Sequence, residues 1–181
     1  NTFPGAAGDC GTTLSAGGTC TIEVEYAPTV VNASDTGTIT FGYNNGVSVQ
    51  SVARTLSGVA VTPASITMDQ GDPYNYGTVA QGASRNVVIT LTNGGGFNAT
   101  SLTEITLGGD FDFTGAGFPG TGGNCTATLT SGATCTIEVA FSPSSTGALA
   151  GTLSLQYNNG VSVVTETKAL SGTGAAPALI T

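Results

Sequence analysis

Four cysteines carry the most sharply patterned chemistry in this chain. They form two pairs of equal spacing, Cys10/Cys20 and Cys125/Cys135. Thiols can stay free in a core, act as nucleophiles or oxidise in pairs. The nucleophilic option lacks a base: there is no histidine, so neither Ser-His-Asp nor Cys-His machinery can be assembled. A Ser–Lys pair would have to use Lys168, the only lysine. At the place matching it in the internal repeat described below stands Arg54, whose guanidinium cannot act as a base. Lys168 is therefore expected to be a solvated strand charge, and an intramolecular Lys–Asn link is not a feature common to both repeats. Oxidation remains the cysteine chemistry to expect. Four cysteines allow three connectivities.

The other polar clusters point less sharply. Asp110 and Asp112 lie two apart on one strand face, and Asp69 and Asp72 flank Gly71. Either could offer hard oxygens to Ca²⁺, but that ion takes six to eight ligands, and solvated turn acids are the expectation. Tyr43 and Tyr157 could stack on sugars, yet alternation puts both on the core face of their strands. Tyr74 and Tyr76, in a Pro-Tyr-Asn-Tyr turn, are expected nearer the surface. Gly94–Gly96 and the glycines of 115–123 are followed by no Lys-Ser/Thr and no helix start, so they read as turns, not phosphate cradles. Asn32, Asn98 and Asn124 each begin an Asn-x-Ser/Thr acceptor pattern, which a bacterial source would make accidental. No metal and no cofactor is expected.

The elements that position these residues occur twice. CGTTLSAGGTCTIEVEYAP (Cys10 to Pro28) answers CTATLTSGATCTIEVAFSP (Cys125 to Pro143) at an offset of 115 residues. GTITFGYNNG (Gly37 to Gly46) answers GTLSLQYNNG (Gly151 to Gly160) at an offset of 114, and Leu56-Ser57-Gly58 answers Leu170-Ser171-Gly172. Phe3-Pro4-Gly5 matches Phe118-Pro119-Gly120. The period is the size of one immunoglobulin-like domain. Residues 1–60 then hold the C-terminal half of a preceding repeat and residues 61–175 a complete one. Residues 176–181 start a following one, since Pro177-Ala178-Leu179-Ile180-Thr181 mimics Pro63-Ala64-Ser65-Ile66-Thr67. The chain reads as a piece of a longer array. Pairing within each repeat, Cys10 with Cys20 and Cys125 with Cys135, survives when copies are added or removed. Closing each loop would stabilise the fold by roughly 2.5–3 kcal/mol. It would also imply an oxidising compartment; free buried thiols in a cytosolic protein are the alternative.

Period-two alternation marks the strands. Cys135, Ile137, Val139 and Phe141 alternate with Thr136, Glu138 and Ala140; Cys20, Ile22, Val24 and Tyr26 do the same. One apolar face means a half-buried strand. Leu153, Leu155 and Tyr157, and Ile39, Phe41 and Tyr43, repeat the pattern and run into Asn-Asn-Gly. An Asn-Gly pair there predicts a hairpin with positive φ at both central residues, Gly46 and Gly160 being the glycines concerned. Earlier strands are predicted at 65–68, 76–79, 85–92, 102–107 and 111–114. No segment has a capped helical period. The fold class expected is all-β: tandem immunoglobulin-like antiparallel β-sandwich repeats.

The ordered set of Ile66, Tyr76-Gly77-Thr78-Val79 with Gly82, Val87 to Asn93, Phe111 to Phe113, Cys125, Gly132, Cys135 to Pro143, Gly147, Gly151-Thr152-Leu153 and Leu170 to Gly174 resembles the choice-of-anchor D repeat of bacterial surface and secreted proteins. That repeat is related to Hydin-like and major-sperm-protein-like sandwiches. The resemblance implies an Ig-like sandwich, commonly arrayed, in a large exported protein, and brings no catalytic residues.

Charge narrows the partners. The net charge is −8, with three basic residues, which suits neither nucleic acid nor an anionic membrane. No apolar run approaches membrane-spanning length. The proline-bearing junction at 57–63 is too short for free swinging. The expected function is therefore non-enzymatic: a semi-rigid stalk, fibre or filament outside the cell. Its partners would be neighbouring repeats or identical subunits, with strand donation conceivable at the open edge left by the first sixty residues. A carbohydrate- or peptide-binding accessory module is the alternative.

Overall fold

The computed structural model describes residues 2–115 and 117–180. The chain divides into two compact units, Asn1–Ala60 and Val61–Thr181.

The Asn1–Ala60 unit contains one hairpin, β1 (Asn32–Asn44) against β2 (Val49–Ala60). Among the described residues its sheet has these two strands only. The predicted strand at Cys20–Tyr26 does not form: these residues carry no strand hydrogen-bond ladder. The cause is visible in the other unit, where the matching segment is a central strand held from both sides. Alternation alone cannot make a strand without neighbours to receive its backbone groups.

The Val61–Thr181 unit is a two-sheet sandwich. Its strands are β3 (Ile66–Met68), β4 (Tyr74–Ala80), β5 (Arg85–Asn93), β6 (Ala99–Leu107), β7 (Phe111–Phe113), β8 (Thr128–Leu129), β9 (Thr134–Phe141), β10 (Gly147–Asn158) and β11 (Val163–Ala175). One sheet has the order β4-β11-β10-β6-β8 and the other β3-β5-β9-β7. The alternating side chains of β9 and β10 do what their period dictates. Ile137, Val139 and Phe141 from one sheet, and Leu153 and Leu155 from the other, are wholly buried. Burying each such side chain contributes about 1.5–3 kcal/mol, so these facing stripes hold the layers together. Tyr76, Phe111 and Phe141 stack through the same core, with Phe111 and Phe141 ring centres 4.8 Å apart.

Two features depart from the sequence reading. The sandwich is not purely antiparallel, because β4 runs parallel to β11. The connection between them threads through both sheets, so no local turn signal could announce the pairing. The two-residue strand β8, which pairs with β6, is too short to display any alternation.

Candidate functional site

The sulfur pairs close as Cys10–Cys20 and Cys125–Cys135, each with Cα atoms 4.9 Å apart. Much of the backbone hydrogen bonding around them is repeated. Cys10 N–H donates to Thr21 O at 3.3 Å, and Cys125 N–H to Thr136 O at 3.1 Å. Glu23 N–H donates to Pro4 O at 2.9 Å, and Glu138 N–H to Pro119 O at 2.8 Å. The side chains of these glutamates accept from the next loop, Glu23 from Ala7 N–H and Glu138 from Gly122 N–H. The Phe3–Pro4 and Phe118–Pro119 peptide bonds are both cis. One difference is chemical. Thr21 N–H and hydroxyl donate to the Asp9 carboxylate, where Thr136 uses the neutral Asn124. The Thr21 N–H, and then its hydroxyl, hold the Asp9 carboxyl below its ordinary range.

The hairpins repeat with the same fidelity. Gly37 faces Leu56 and Tyr43 faces Gln50, as Gly151 faces Leu170 and Tyr157 faces Val164. Gly46 and Gly160 adopt φ of 93° and 95°, a region open to glycine at little cost. The expectation of two positive φ values per turn fails, since the preceding asparagines stay outside that region. Their side chains do the turning instead. Asn45 Oδ1 accepts from Val47 and Ser48 N–H, and Asn159 Oδ1 from Val161 and Ser162 N–H. These are Asx turns in a longer loop.

The acids are braces of the backbone. Asp69 Oδ1 accepts from Thr90 N–H, Asp72 Oδ1 from Ala169 N–H, and Asp110 Oδ1 from Ser144 N–H. Among the described residues, no group of three or more His, Cys, Asp or Glu side chains is placed to hold a metal. Lys168 is not the solvated charge expected: it is buried, and its Nζ donates to Gln70 O at 3.2 Å. The 69–73 turn folds over it, a contact between residues almost a hundred positions apart.

The tyrosines also sort differently from expectation. Tyr157 is in the core, its hydroxyl accepting from Ile66 N–H. Tyr76 is fully buried, not surface-near, and donates to Val139 O. Burial first, and the neighbouring Tyr74 second, push its phenol up from the ordinary value. Tyr74 and Tyr76 therefore present no paired platform. Tyr43 is 52% exposed although its alternation matches Tyr157, because no second sheet among the described residues of the Asn1–Ala60 unit covers it.

Asn93 escaped sequence reasoning. Its side chain is fully buried and makes four hydrogen bonds: Oδ1 accepts from Ser65 and Gly95 N–H, and Nδ2 donates to Phe97 O and Leu129 O. It ties β3, the glycine turn and β8 to the end of β5. The signal available was one asparagine closing an apolar strand before three glycines, which also reads as an ordinary turn.

Two hollows lie on the surface. One of about 300 Å³, lined by Asn75, Ala148–Ala150 and Ser171–Thr173, carries no ionisable side chain. The other, about 200 Å³, lies in the Asn1–Ala60 unit between Val24, Tyr26, Asp35, Leu56 and Gly58. Tyr26 hydrogen-bonds Asp35 there, and that bond raises its phenol above the ordinary value. No helix among the described residues is long and apolar enough to cross a membrane.

Compared by sequence, the chain matches no protein-family model and no curated protein. Solved structures of similar path exist. The ASH / PapD-like domain of human CEP192 (PapD-like domain 7) is similar over 65% of this chain and 89% of that one, at 16% identity and a TM-score of 0.45. The VesB protease of Vibrio cholerae is similar over 60% of this chain and 31% of its own, at 21% identity and a TM-score of 0.45. The secreted serine protease VesC of Vibrio cholerae is similar over 64% of this chain and 24% of its own, at 18% identity and a TM-score of 0.38. The similarity thus spans about a third or less of either protease. In its own geometry the Val61–Thr181 unit is an Ig-like β-sandwich, with one disulfide bridging β9 to the preceding loop.

Proposed function

We propose that this chain is a non-enzymatic structural and interaction segment, built from one sandwich type used in series, in an exported protein at or beyond the cell surface. The observation that carries this reading is the repeated backbone hydrogen bonding of the two disulfide loops and the repeated register of the two hairpins. A site under selection for chemistry concentrates reactive groups in one cleft. Here the repeated groups are cystines, turn asparagines and close-packed glycines, all of which fix chain path. Two cystines in so short a chain favour an oxidising compartment. The acidic balance favours protein neighbours over nucleic acid. A short junction between successive units would make the series a semi-rigid stalk or fibre.

The test is one of length. Chains extended by one, two and three further copies of residues 61–174 are measured by small-angle X-ray scattering. A stalk gains an equal increment in maximum dimension with each copy. Growth as a compact globule, with radius scaling as roughly the 0.38 power of residue number, contradicts the proposal.

A further inference from the structure

The chain contains three Asn-Gly pairs: Asn45-Gly46, Asn93-Gly94 and Asn159-Gly160. Such a pair holds its own electrophile and nucleophile, the asparagine Cγ and the amide nitrogen that follows. Glycine has no Cβ to hinder their approach. The three pairs are held differently. At the tip between β10 and β11, Asn159 Oδ1 accepts from Val161 N–H at 2.9 Å and Ser162 N–H at 2.8 Å. These donors sit where negative charge gathers when Cγ is attacked, as the donors of an oxyanion hole do. Gly160 N–H donates to Asn158 Oδ1 at 2.8 Å, so an acceptor waits at the proton the nitrogen must shed. Asn159 Nδ2, the leaving group, has no hydrogen-bond partner among the described residues. The tip between β1 and β2 repeats these contacts. Asn45 Oδ1 accepts from Val47 and Ser48 N–H, each at 2.9 Å, and Gly46 N–H donates to Asn44 Oδ1 at 2.8 Å. Asn93 is the contrast. Its Oδ1 also has two donors, but its Nδ2 is tied to Phe97 O and Leu129 O. The Gly94 N–H is taken by Ser65 O at 2.8 Å, and the asparagine is fully buried, away from water.

We infer that the two hairpin tips are sites of self-modification, at which Asn45 and Asn159 pass through a cyclic imide to aspartate and isoaspartate while Asn93 is kept intact. The Gly160 nitrogen bonds to Asn159 Cγ and the Cγ–Nδ2 bond breaks. The glycine's amide proton goes to Nδ2, which leaves as ammonia. Water then opens the imide. Attack at the Cγ carbonyl gives aspartate, and attack at the main-chain carbonyl gives isoaspartate, with the chain running through Cγ. Gly46 and Asn45 follow the same course. The two products have different consequences. Aspartate keeps an oxygen for Val161 and Ser162 N–H, so the turn survives with one more negative charge on a chain already at −8. Isoaspartate turns the Asn159 main-chain carbonyl, which accepts from Ala64 N–H at 3.0 Å, into a free carboxylate and reroutes the tip. The inference goes beyond the stalk reading and does not depend on it.

The test holds the oxidised full chain in mildly alkaline buffer and weighs its proteolytic fragments at intervals. An isoaspartyl methyltransferase assay counts the isoaspartate. Synthetic peptides of residues 41–51, 88–98 and 155–165 give the rates without the fold. In the folded chain Asn45 and Asn159 should convert within about tenfold of their peptides, and Asn93 more than about a hundredfold slower than its own, since it must wait for the sandwich to open. In urea Asn93 should catch up with the tips. Asn159→Gln should abolish the change at that tip and leave Asn45 converting. The inference is overturned if the tips stay intact in the folded chain while their peptides convert. It is equally overturned if Asn93 keeps pace with them before unfolding.

Discussion

Replacing Asn93 by alanine removes four hydrogen bonds from one buried side chain. The bonds to Gly95 N–H and Leu129 O are wholly buried, and those to Ser65 N–H and Phe97 O partly so. Each buried backbone group left without a partner costs about 1–3 kcal/mol. The two partly buried ones recover water and cost less. The expected loss is about 3–5 kcal/mol, a large share of the 5–15 kcal/mol that holds a typical domain together. For a unit of this size the melting temperature should fall by roughly 10–20 °C. Asn93→Asp sharpens the test. It keeps an acceptor for Ser65 and Gly95 but sets a carboxylate oxygen against the carbonyls of Phe97 and Leu129. It should be at least as damaging as alanine. Urea unfolding followed by near-ultraviolet circular dichroism, which reads the buried tyrosines and phenylalanines, gives both free energies. An alanine variant within about 1 kcal/mol of the parent, or an aspartate variant milder than alanine, would refute the reasoning.

Replacing Cys125 and Cys135 together by serine should lower the stability of the sandwich by roughly 2.5–3 kcal/mol, read as a shift in urea midpoint; an unchanged midpoint would deny the bridge a role. Acid should separate the two loops. The Asp9 carboxyl lies below its ordinary value of 3.8, so its bonds to Thr21 hold above that pH and are lost as pH falls through the lower folded value. The Thr21 amide resonance should therefore move on acidification in this range while that of Thr136, bonded to Asn124, stays still; parallel movement would contradict this. Gly172→Ala pushes a methyl into the Phe141 ring and should cost about 1–3 kcal/mol. Adding Phe141→Leu should recover part of that loss in a double-mutant cycle, and strict additivity would show that the two do not touch.

The sequence announced those parts of the fold whose causes are local. Alternation at Cys135–Phe141 and Leu153–Tyr157 exposed the two central strands, and equal cysteine spacing exposed the bridges. What stayed hidden depends on residues far apart in the chain. The parallel pairing of β4 with β11 joins positions nearly a hundred residues apart. Tyr76 was misplaced because a Pro-Tyr-Asn-Tyr stretch looks like a surface turn until the opposite sheet arrives to bury it. Lys168 looked solvated because nothing near it in sequence shows the 69–73 turn closing above its ammonium. Tyr43 and Cys20–Tyr26 are the instructive reverse. Their patterns are those of a core and a central strand, but pattern becomes structure only where partners complete it.

The claim beneath the rest is that the hairpin and disulfide loop of the Asn1–Ala60 unit belong to the same sandwich type as the Val61–Thr181 unit. The most direct measurement is an experimental structure of the chain with a second copy of residues 61–116 joined ahead of Thr2. The account predicts a β4-like strand running parallel to β2, a new strand over Cys20–Tyr26, and buried Tyr26 and Tyr43, superimposable on the Val61–Thr181 sandwich. An added segment that packs elsewhere, leaving Tyr26 and Tyr43 in solvent, would contradict it.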